Sequence, residues 1–200
     1  MNKTLKLIFS ATLISVLSFN CFAKKISPQR QQFIDCALSL LGTPYLYGSR
    51  VPSPGIDCSG LVAFAARKAL KVNFTGSSQG MYWNSTEISD SEREPGDLLF
   101  FSNTNDSSHI THVGIYLGKY KGEGEFKNKT IFIHSVSDGR KTGVIINSLD
   151  DENFWTKHYI SSGRFLPATK DEANFIQSDP KLFEIDTWWK NVDCKKWFDE

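Results

Sequence analysis

The sequence has no excess of charge of either sign and no long hydrophobic run. Its 200 residues hold 23 Lys and Arg against 22 Asp and Glu, for a formal net charge of +1. This balance excludes the basic surface typical of nucleic-acid-binding proteins. No apolar run reaches the roughly 18 residues of a membrane span, so none is predicted in the mature chain. The length and the 40% hydrophobic content predict one globular domain.

Residues 1–23 differ from the rest of the chain and have the pattern of a secretory signal peptide. Two lysines precede an apolar run over residues 7–19, and Ala23 ends a small-residue cleavage motif. The run is shorter than the roughly 20 residues that a membrane anchor needs. Such an anchor and lipidation at Cys21 are the alternatives. We therefore predict export to the periplasm or the external medium.

Cysteines are scarce, and their number in the exported chain is odd. Four occur in the sequence, and cleavage after residue 23 leaves Cys36, Cys58 and Cys194. In an oxidising compartment two of the three can pair, and one thiol is left over. If Cys58 has to stay reduced in order to react, the hypothesis that follows is a disulfide between Cys36 and Cys194.

The stretch around Cys58 joins a glycine-flanked turn, residues 55–60, to an apolar segment over 61–70 that is typical of a buried helix. Cys58 then lies in the first helical turn, where unpaired N–H groups favour a thiolate and so lower the thiol pKa. A thiolate is the form that attacks carbonyl carbon. The alternative is that Cys58 is a small buried apolar residue.

The remaining elements follow from apolar spacing. A first helix is predicted from Pro28, with Ser27 as N-cap, to Leu41, with Gly42 in the C′ position. Residues 42–55 form a long loop that we interpret as a binding wall. The segment 74–84 is interpreted as a surface connection or a binding element. From Pro167 the composition changes, and we predict a helical extension over 168–200 after a domain over 24–167. Strands are predicted at 98–101, 112–117, 129–135, 144–147 and 163–166.

Two histidines fall on the same face of neighbouring predicted strands. In a hairpin, His112 lies opposite His134, or a tighter turn places His134 opposite Tyr116, and both registers keep the same faces. An imidazole is the usual base for a catalytic thiol, and a second polar group commonly orients it. A zinc site made of Cys58 and the histidines, including His109, is the competing interpretation, but no cysteine pair has zinc spacing.

Several motifs together resemble the NlpC/P60 family of papain-like cysteine peptidases. They occur in the family's order between residues 33 and 166. The resemblance implies an α+β fold in which a central antiparallel sheet packs against helices. It also implies cleavage of peptidoglycan stem peptides between D-γ-glutamyl and a diamino acid. The motifs are Gly-Thr-Pro-Tyr-Leu-Tyr-Gly (42–48), Gly-Ile-Asp-Cys-Ser-Gly-Leu-Val (55–62), Pro-Gly-Asp-Leu-Leu-Phe-Phe (95–101), His-Val-Gly-Ile-Tyr-Leu-Gly (112–118) and Phe-Ile-His-Ser (132–135).

The resemblance assigns the catalytic roles residue by residue. Cys58 is the nucleophile, His112 the base and His134 the residue that orients the base. Tyr45 matches a family tyrosine that approaches the cysteine, and its hydroxyl could assist the Cys58 N–H in stabilising an oxyanion. No cofactor and no metal are implied.

The resemblance further implies substrate contacts by Asp57, Ser59 and Ser77, which match positions that hold a free terminal amine in some members. The sequence departs from the family pattern at Ser49 and Gly76, and the loop between the two histidines is longer than in compact members. The implied partner is peptidoglycan or a muropeptide, and no protein partner is indicated. Alternatives are an amidase or acyltransferase with another substrate, and an inactive wall-binding protein.

Overall fold

The computed structural model describes residues 26–104, 106–137 and 142–166. The predicted signal peptide, Cys194 and the extension over 168–200 lie outside these residues. The helices are α1 (Pro28–Leu38), α2 (Cys58–Leu70), α3 (Ser78–Trp83) and α4 (Phe154–His158), with a 3₁₀ turn over Asp90–Glu92. The strands are β1 (Arg50–Val51), β2 (Gly55–Ile56), β3 (Thr86–Ile88), β4 (Leu98–Phe101), β5 (His112–Lys119), β6 (Thr130–Val136), β7 (Gly143–Ser148) and β8 (Tyr159–Arg164).

Six strands form one antiparallel sheet in the order β3-β8-β4-β5-β6-β7. One face packs against α1 and α2 and holds the main core, to which β5 contributes Val113, Ile115 and Leu117. A smaller cluster on the other face contains Phe101 and Phe132. The predicted alternation of β5 and β6 and the predicted α+β class are therefore confirmed. Among the described residues, no helix has both the length and the apolarity needed to cross a bilayer.

Helix α2 is the central element of the core because almost all of its surface is buried. Its first nine residues, 58–66, and Leu70 are buried, and Leu61 and Val62 are fully covered by other elements. Asp57 caps the N-terminus by accepting a hydrogen bond from the Gly60 N–H. A Cβ atom at Gly60 would lie 2.1 Å from the Ser49 carbonyl oxygen, so only glycine lets the 42–55 loop pack against this helix.

The first helix begins at Pro28 after the Ser27 cap, as predicted, but it ends at Leu38 and not at Leu41. Beyond Leu38 the chain continues in turns, and Ser39 Oγ donates to the Cys36 carbonyl. Gly42 has a φ of 84° and donates its N–H to Val144 on β7. The apolar spacing continues past the helix because these turn residues also face the core.

The segment over 74–84 contains an element that the sequence analysis did not predict. Ser77 caps α3 by accepting from the Gly80 N–H. Ser78 Oγ donates to the Ile110 carbonyl, and Gln79 Oε1 accepts from the Ile110 N–H. Helix α3 therefore fixes the loop that leads into β5. The last strand also differs from its prediction, since β8 begins at Tyr159 and pairs with both β3 and β4.

A buried ionic cluster ties the turn before β4 to α1 and β8. The carboxylate of Asp97 is fully buried and accepts from Arg30 at 2.8 Å and from Arg164 at 2.9 and 2.7 Å. It also accepts from the Glu94 N–H at 2.7 Å. Arg30 is itself buried and donates a second bond to the Pro95 carbonyl. Glu94 is a second, less buried carboxylate, 3.4 Å from Arg30 and 3.8 Å from Arg164, so Asp97 is the fully buried counter-charge that both arginines share.

We expect Asp97→Asn to lower the free energy of unfolding by about 3 kcal/mol or more, because two arginines would lose a buried counter-charge. Urea unfolding followed by circular dichroism measures the change. Glu123→Gln is the matched control, since Glu123 pairs with Lys127 on the exposed surface and should matter little. Equal losses in the two variants would contradict the role assigned to Asp97.

Candidate active site

A cleft of about 560 Å³ opens where the start of α2 meets the start of β5. Cys58 and His112 both line it, so the structure brings the predicted nucleophile and the predicted base to one surface. Tyr45 and Tyr47, from the 42–55 loop, line the same cleft, as that loop was predicted to do. Trp155 from α4 forms part of the wall.

Cys58 is the first residue of α2, and its side chain is 9% exposed. Three backbone N–H groups near the sulfur, those of Val113, Ser59 and Cys58 itself, each lower the pKa of the thiol and so favour the thiolate. Burial nevertheless dominates: together with the nearby Asp57 carboxylate, it raises the pKa of the thiol to about 11. The prediction of a lowered pKa is therefore wrong, because the cost of burying a negative charge exceeds the effect of the helix end.

His112 and His134 are hydrogen-bonded to each other. His112 Nε2 lies 2.8 Å from His134 Nδ1, with the rings perpendicular. His134 Nε2 lies 2.8 Å from Asn147 Oδ1 on β7. A relay of hydrogen bonds thus runs from Asn147 on the edge strand β7 through His134 to His112 in the cleft. Of the ring nitrogens of His112 and His134, only Nδ1 of His112 lies outside it.

The register that brings the histidines together is neither of the two considered from the sequence. Ile115 pairs with Ile133 and Tyr116 with Phe132, and a bulge then shifts the register before Gly118. Continuing this register places His134 beside Gly114, diagonal to His112. A Cβ atom at Gly114 would lie 2.7 Å from the Phe132 ring, so glycine lets the strands pack closely here.

Aromatic rings surround the histidine pair. The Trp155 ring centroid is 4.6 Å from that of His112 and 4.5 Å from that of His134. Phe132 packs on His134 at 4.7 Å. Burial holds the pKa of His112 well below its ordinary range, helped by His134, and lowers the pKa of fully buried His134 to about 4. Both rings are therefore neutral near pH 7, and His112 can accept a proton.

Tyr45 is half-buried in the cleft wall, and burial followed by the nearby Cys58 raises the pKa of its phenol to about 12. Ser137 hydrogen-bonds to its side chain. The phenol therefore keeps its proton at neutral pH, so its hydroxyl can donate a hydrogen bond into the cleft.

Asp57 and Ser59 flank Cys58 in sequence, but their side chains are turned into the protein. The Asp57 carboxylate accepts from the N–H groups of Gly60 at 2.6 Å and Gly48 at 2.8 Å, and from Ser59 Oγ at 3.0 Å. Both side chains are buried. Here they fasten the 42–55 loop to the start of α2. They do not line the cleft described above.

The third predicted substrate contact, Ser77, is exposed and caps α3, and it does not line the cleft. His109 lies on an exposed loop. Within residues 26–104, 106–137 and 142–166, no cluster of three or more His, Cys, Asp or Glu side chains has an arrangement suited to a metal ion. Cys36 is fully buried in α1, and its predicted pairing with Cys194 stays a prediction.

Two residues of the site were not identified from the sequence. The sequence analysis includes Asn147 in a predicted strand and assigns no catalytic role to it or to Trp155. The available signal for Asn147 was a polar residue directly after the apolar run 144–146, at the end of a predicted strand. Its contact with His134 depends on the pairing of β6 with β7, which the sequence did not give.

A buried thiol at the start of a helix, beside imidazoles held on an antiparallel sheet, defines the papain-like fold class. A model of the NlpC/P60 family matches residues 42–164. The chain belongs to the NlpC/P60 family. The resemblance drawn from its motifs is thereby confirmed.

Named relatives are longer proteins. A gamma-DL-glutamyl hydrolase of Bacillus subtilis (strain 168) is 31% identical over 143 residues, covering 72% of this chain and 31% of the relative. The murein DD-endopeptidase MepH of Escherichia coli (strain K12) is 34% identical over 128 residues, covering 63% and 42%. The chain thus spans well under half the length of these relatives.

A solved structure gives the same fold. It is the crystal structure of a lipoprotein-like NLP/P60 family protein from Staphylococcus aureus subsp. aureus Mu50. The two superpose with a TM-score of 0.55 at 32% identity, over 72% of this chain and 43% of that one.

We expect acid to destabilise the fold through His134. Its pKa is about 4 in the folded state against an ordinary value of 6.5, so between these values the unfolded chain binds more protons. The stabilisation of the fold by neutral His134 is complete above pH 6.5 and is lost as the pH falls to 4. The free energy of unfolding should therefore change by about 3 kcal/mol between these pH values. Urea unfolding at both pH values measures it.

His134→Gln should remove that part of the pH dependence, so the difference between the two pH values should shrink by about 3 kcal/mol. The control His109→Gln changes an exposed ring and should keep the wild-type dependence. An unchanged dependence in His134→Gln would contradict the burial of a neutral imidazole at this position.

We also expect no thiolate at Cys58 near neutral pH in the substrate-free protein. The ultraviolet thiolate absorbance, taken as the difference between wild type and Cys58→Ser, should rise with a midpoint near pH 11. The difference removes the other thiols from the signal. A midpoint below the ordinary thiol value would show that the helix end and His112 outweigh burial.

Proposed function

We propose that this protein is an exported peptidoglycan hydrolase that cleaves stem peptides by a Cys-His-His thiol mechanism. One observation carries the proposal: Cys58 and His112 line one cleft, and His112 is hydrogen-bonded to buried His134. The names of the relatives, a glutamyl hydrolase and a murein endopeptidase, support the substrate class. The signal peptide predicted over residues 1–23 supports periplasmic or extracellular action.

The resting pair is a thiol and a neutral imidazole, so the reaction begins with a proton transfer. His112 takes the Cys58 proton on Nδ1 as the sulfur attacks the scissile carbonyl carbon. Moving the proton within the pair creates two opposite charges side by side, which offsets part of the cost of burying the thiolate. Trp155, next to the His112 ring, adds a π face for the imidazolium.

The tetrahedral intermediate places a negative charge on the former carbonyl oxygen. The Cys58 N–H at the start of α2 and the Tyr45 hydroxyl are the donors we assign to it. The imidazolium of His112 then protonates the leaving amine as the C–N bond breaks, which leaves a thioester on Cys58. Water, deprotonated by His112, attacks the thioester carbonyl, and the departing sulfur recovers its proton.

The bond we assign is the one between D-γ-glutamyl and the diamino acid. The Bacillus subtilis relative carries the name of this bond type, whereas the Escherichia coli relative is named for a DD bond. The masses of the products distinguish the two bonds. Because Asp57 and Ser59 are hydrogen-bonded inside the loop anchor, the proposal gives them a structural role and no contact with the substrate.

Purified muropeptides incubated with the protein should be cut, and mass spectrometry should identify a product with a new D-glutamyl carboxyl end. We expect Cys58→Ala to abolish cleavage and His112→Ala to reduce it by at least about 100-fold, because attack needs both groups. His109→Ala is the matched control and should cleave at the wild-type rate.

The other outcomes identify the alternatives. Transfer of the acyl group to an added amine without net hydrolysis would indicate an acyltransferase. Binding of muropeptides without any cleavage would indicate an inactive wall-binding protein. Cleavage that persists in Cys58→Ala would remove the thiol mechanism.

A further inference from the structure

The contact between Asn147 and His134 determines which nitrogen of His112 is left as a base. Asn147 Oδ1 faces His134 Nε2 at 2.8 Å. An amide oxygen only accepts, so His134 must carry its proton on Nε2, and its Nδ1 is then an acceptor. His112 Nε2, 2.8 Å from that atom, must donate to it. The remaining nitrogen of His112, Nδ1, keeps its lone pair.

If the two hydrogen bonds of this relay ran in the opposite direction, with each donor exchanged for an acceptor, the site would be inactive. An N–H donor facing His134 Nε2 would move the His134 proton to Nδ1, and His112 Nε2 would then accept it. His112 would carry its own proton on Nδ1, the nitrogen outside the relay. In that tautomer the ring has no lone pair to take the proton from Cys58.

We propose that Asn147 is a positioning residue that fixes the direction of this relay and so keeps the basic lone pair of His112 available to Cys58. The inference rests on the proposed function and extends the site by one residue on β7. Because His134 is fully buried, its Nε2–H depends on Asn147 for an acceptor.

The surroundings of His134 make the role specific to Asn147. His112 on β5 is the titratable group in contact with its ring. The other neighbours are neutral: Trp155 on α4, Phe132 on β6 and Ile145, which pairs with His134 from β7. Within the described part of the chain, no carboxylate hydrogen-bonds to either ring, so a charge placed at position 147 would act on this pair alone.

Two substitutions at Asn147 distinguish an effect on the direction of the hydrogen bonds from an effect on side-chain packing. Asn147→Asp leaves only acceptor atoms, so it preserves the relay direction, and its charge favours protonation of His134. Once protonated, His134 donates from both nitrogens and reverses the bond to His112. Asn147→Leu keeps a similar volume and removes the acceptor.

The first measurement is ¹⁵N NMR of the histidine rings in the substrate-free protein at neutral pH. We expect His134 and His112 to be protonated on Nε2 in the wild type and in Asn147→Asp, and this pattern to be lost in Asn147→Leu. His134 protonated on Nδ1 in the wild type would overturn the proposal. Since no substrate is present, the result holds even if the proposed hydrolysis fails.

The second measurement is the pH profile of kcat/KM on muropeptides. In Asn147→Asp the acidic limb of this pH profile should shift to higher pH by about one unit or more, because a carboxylate in contact with an imidazole raises the imidazole pKa. In Asn147→Leu, kcat should fall by at least about 100-fold with little change in KM, as expected for a wrong tautomer.

Asn84→Asp makes the same chemical change at an exposed position and should leave the acid limb in place. The proposal would be overturned if the acidic limb of the pH profile stayed in place in Asn147→Asp, or if Asn147→Leu kept the wild-type kcat. If Asn147→Leu does not fold, Asn147→Asp and the wild-type NMR spectrum still decide. If the wild type shows the expected tautomers but cleaves no muropeptide, the proposed function is refuted. The relay described here would still stand.

Discussion

The hydrogen bond between buried His134 and half-buried His112, two neutral imidazoles, is the interaction on which the rest of the site depends. His134 cannot carry a charge at neutral pH where it lies, because the sheet, Phe132 and Trp155 exclude water from its ring. Its neutral state gives the ring one donor and one acceptor. That hydrogen bond orients His112. In the mechanism that we propose, His112 then takes the proton of Cys58, because the cleft disfavours a thiolate.

Helix α2, strands β5 and β6, and the buried cluster around Asp97 together produce this arrangement. Helix α2 brings Cys58 to the sheet, and Asp57 fixes its first turn against the 42–55 loop. Strands β5 and β6 carry the two imidazoles on one face, with a bulge setting their diagonal offset. The buried cluster around Asp97 lies outside these elements. It holds the turn that precedes β4, and β4 pairs with β5 in the sheet.

Local signals were sufficient to predict the parts of the site that lie on single elements. The glycine-flanked turn and the apolar segment after it predicted Cys58 at a helix start, and period-two alternation predicted His112 and His134 on one face. The sequence could not give the register, because the bulge after Tyr116 depends on how the long hairpin closes. It could not give Asn147 either, whose contact requires the β6–β7 pairing. The thiol pKa was mispredicted because burial is set by tertiary packing, which a local motif does not contain.

The central claim is that the sulfur of Cys58 is the atom that attacks the stem peptide. A chloromethyl ketone analogue of that peptide tests it most directly, with peptide mapping to locate the label and muropeptide hydrolysis measured on the same samples. We expect one adduct per molecule, on Cys58, and hydrolysis that falls in proportion to labelling. Hydrolysis that persists after Cys58 is fully modified would contradict it.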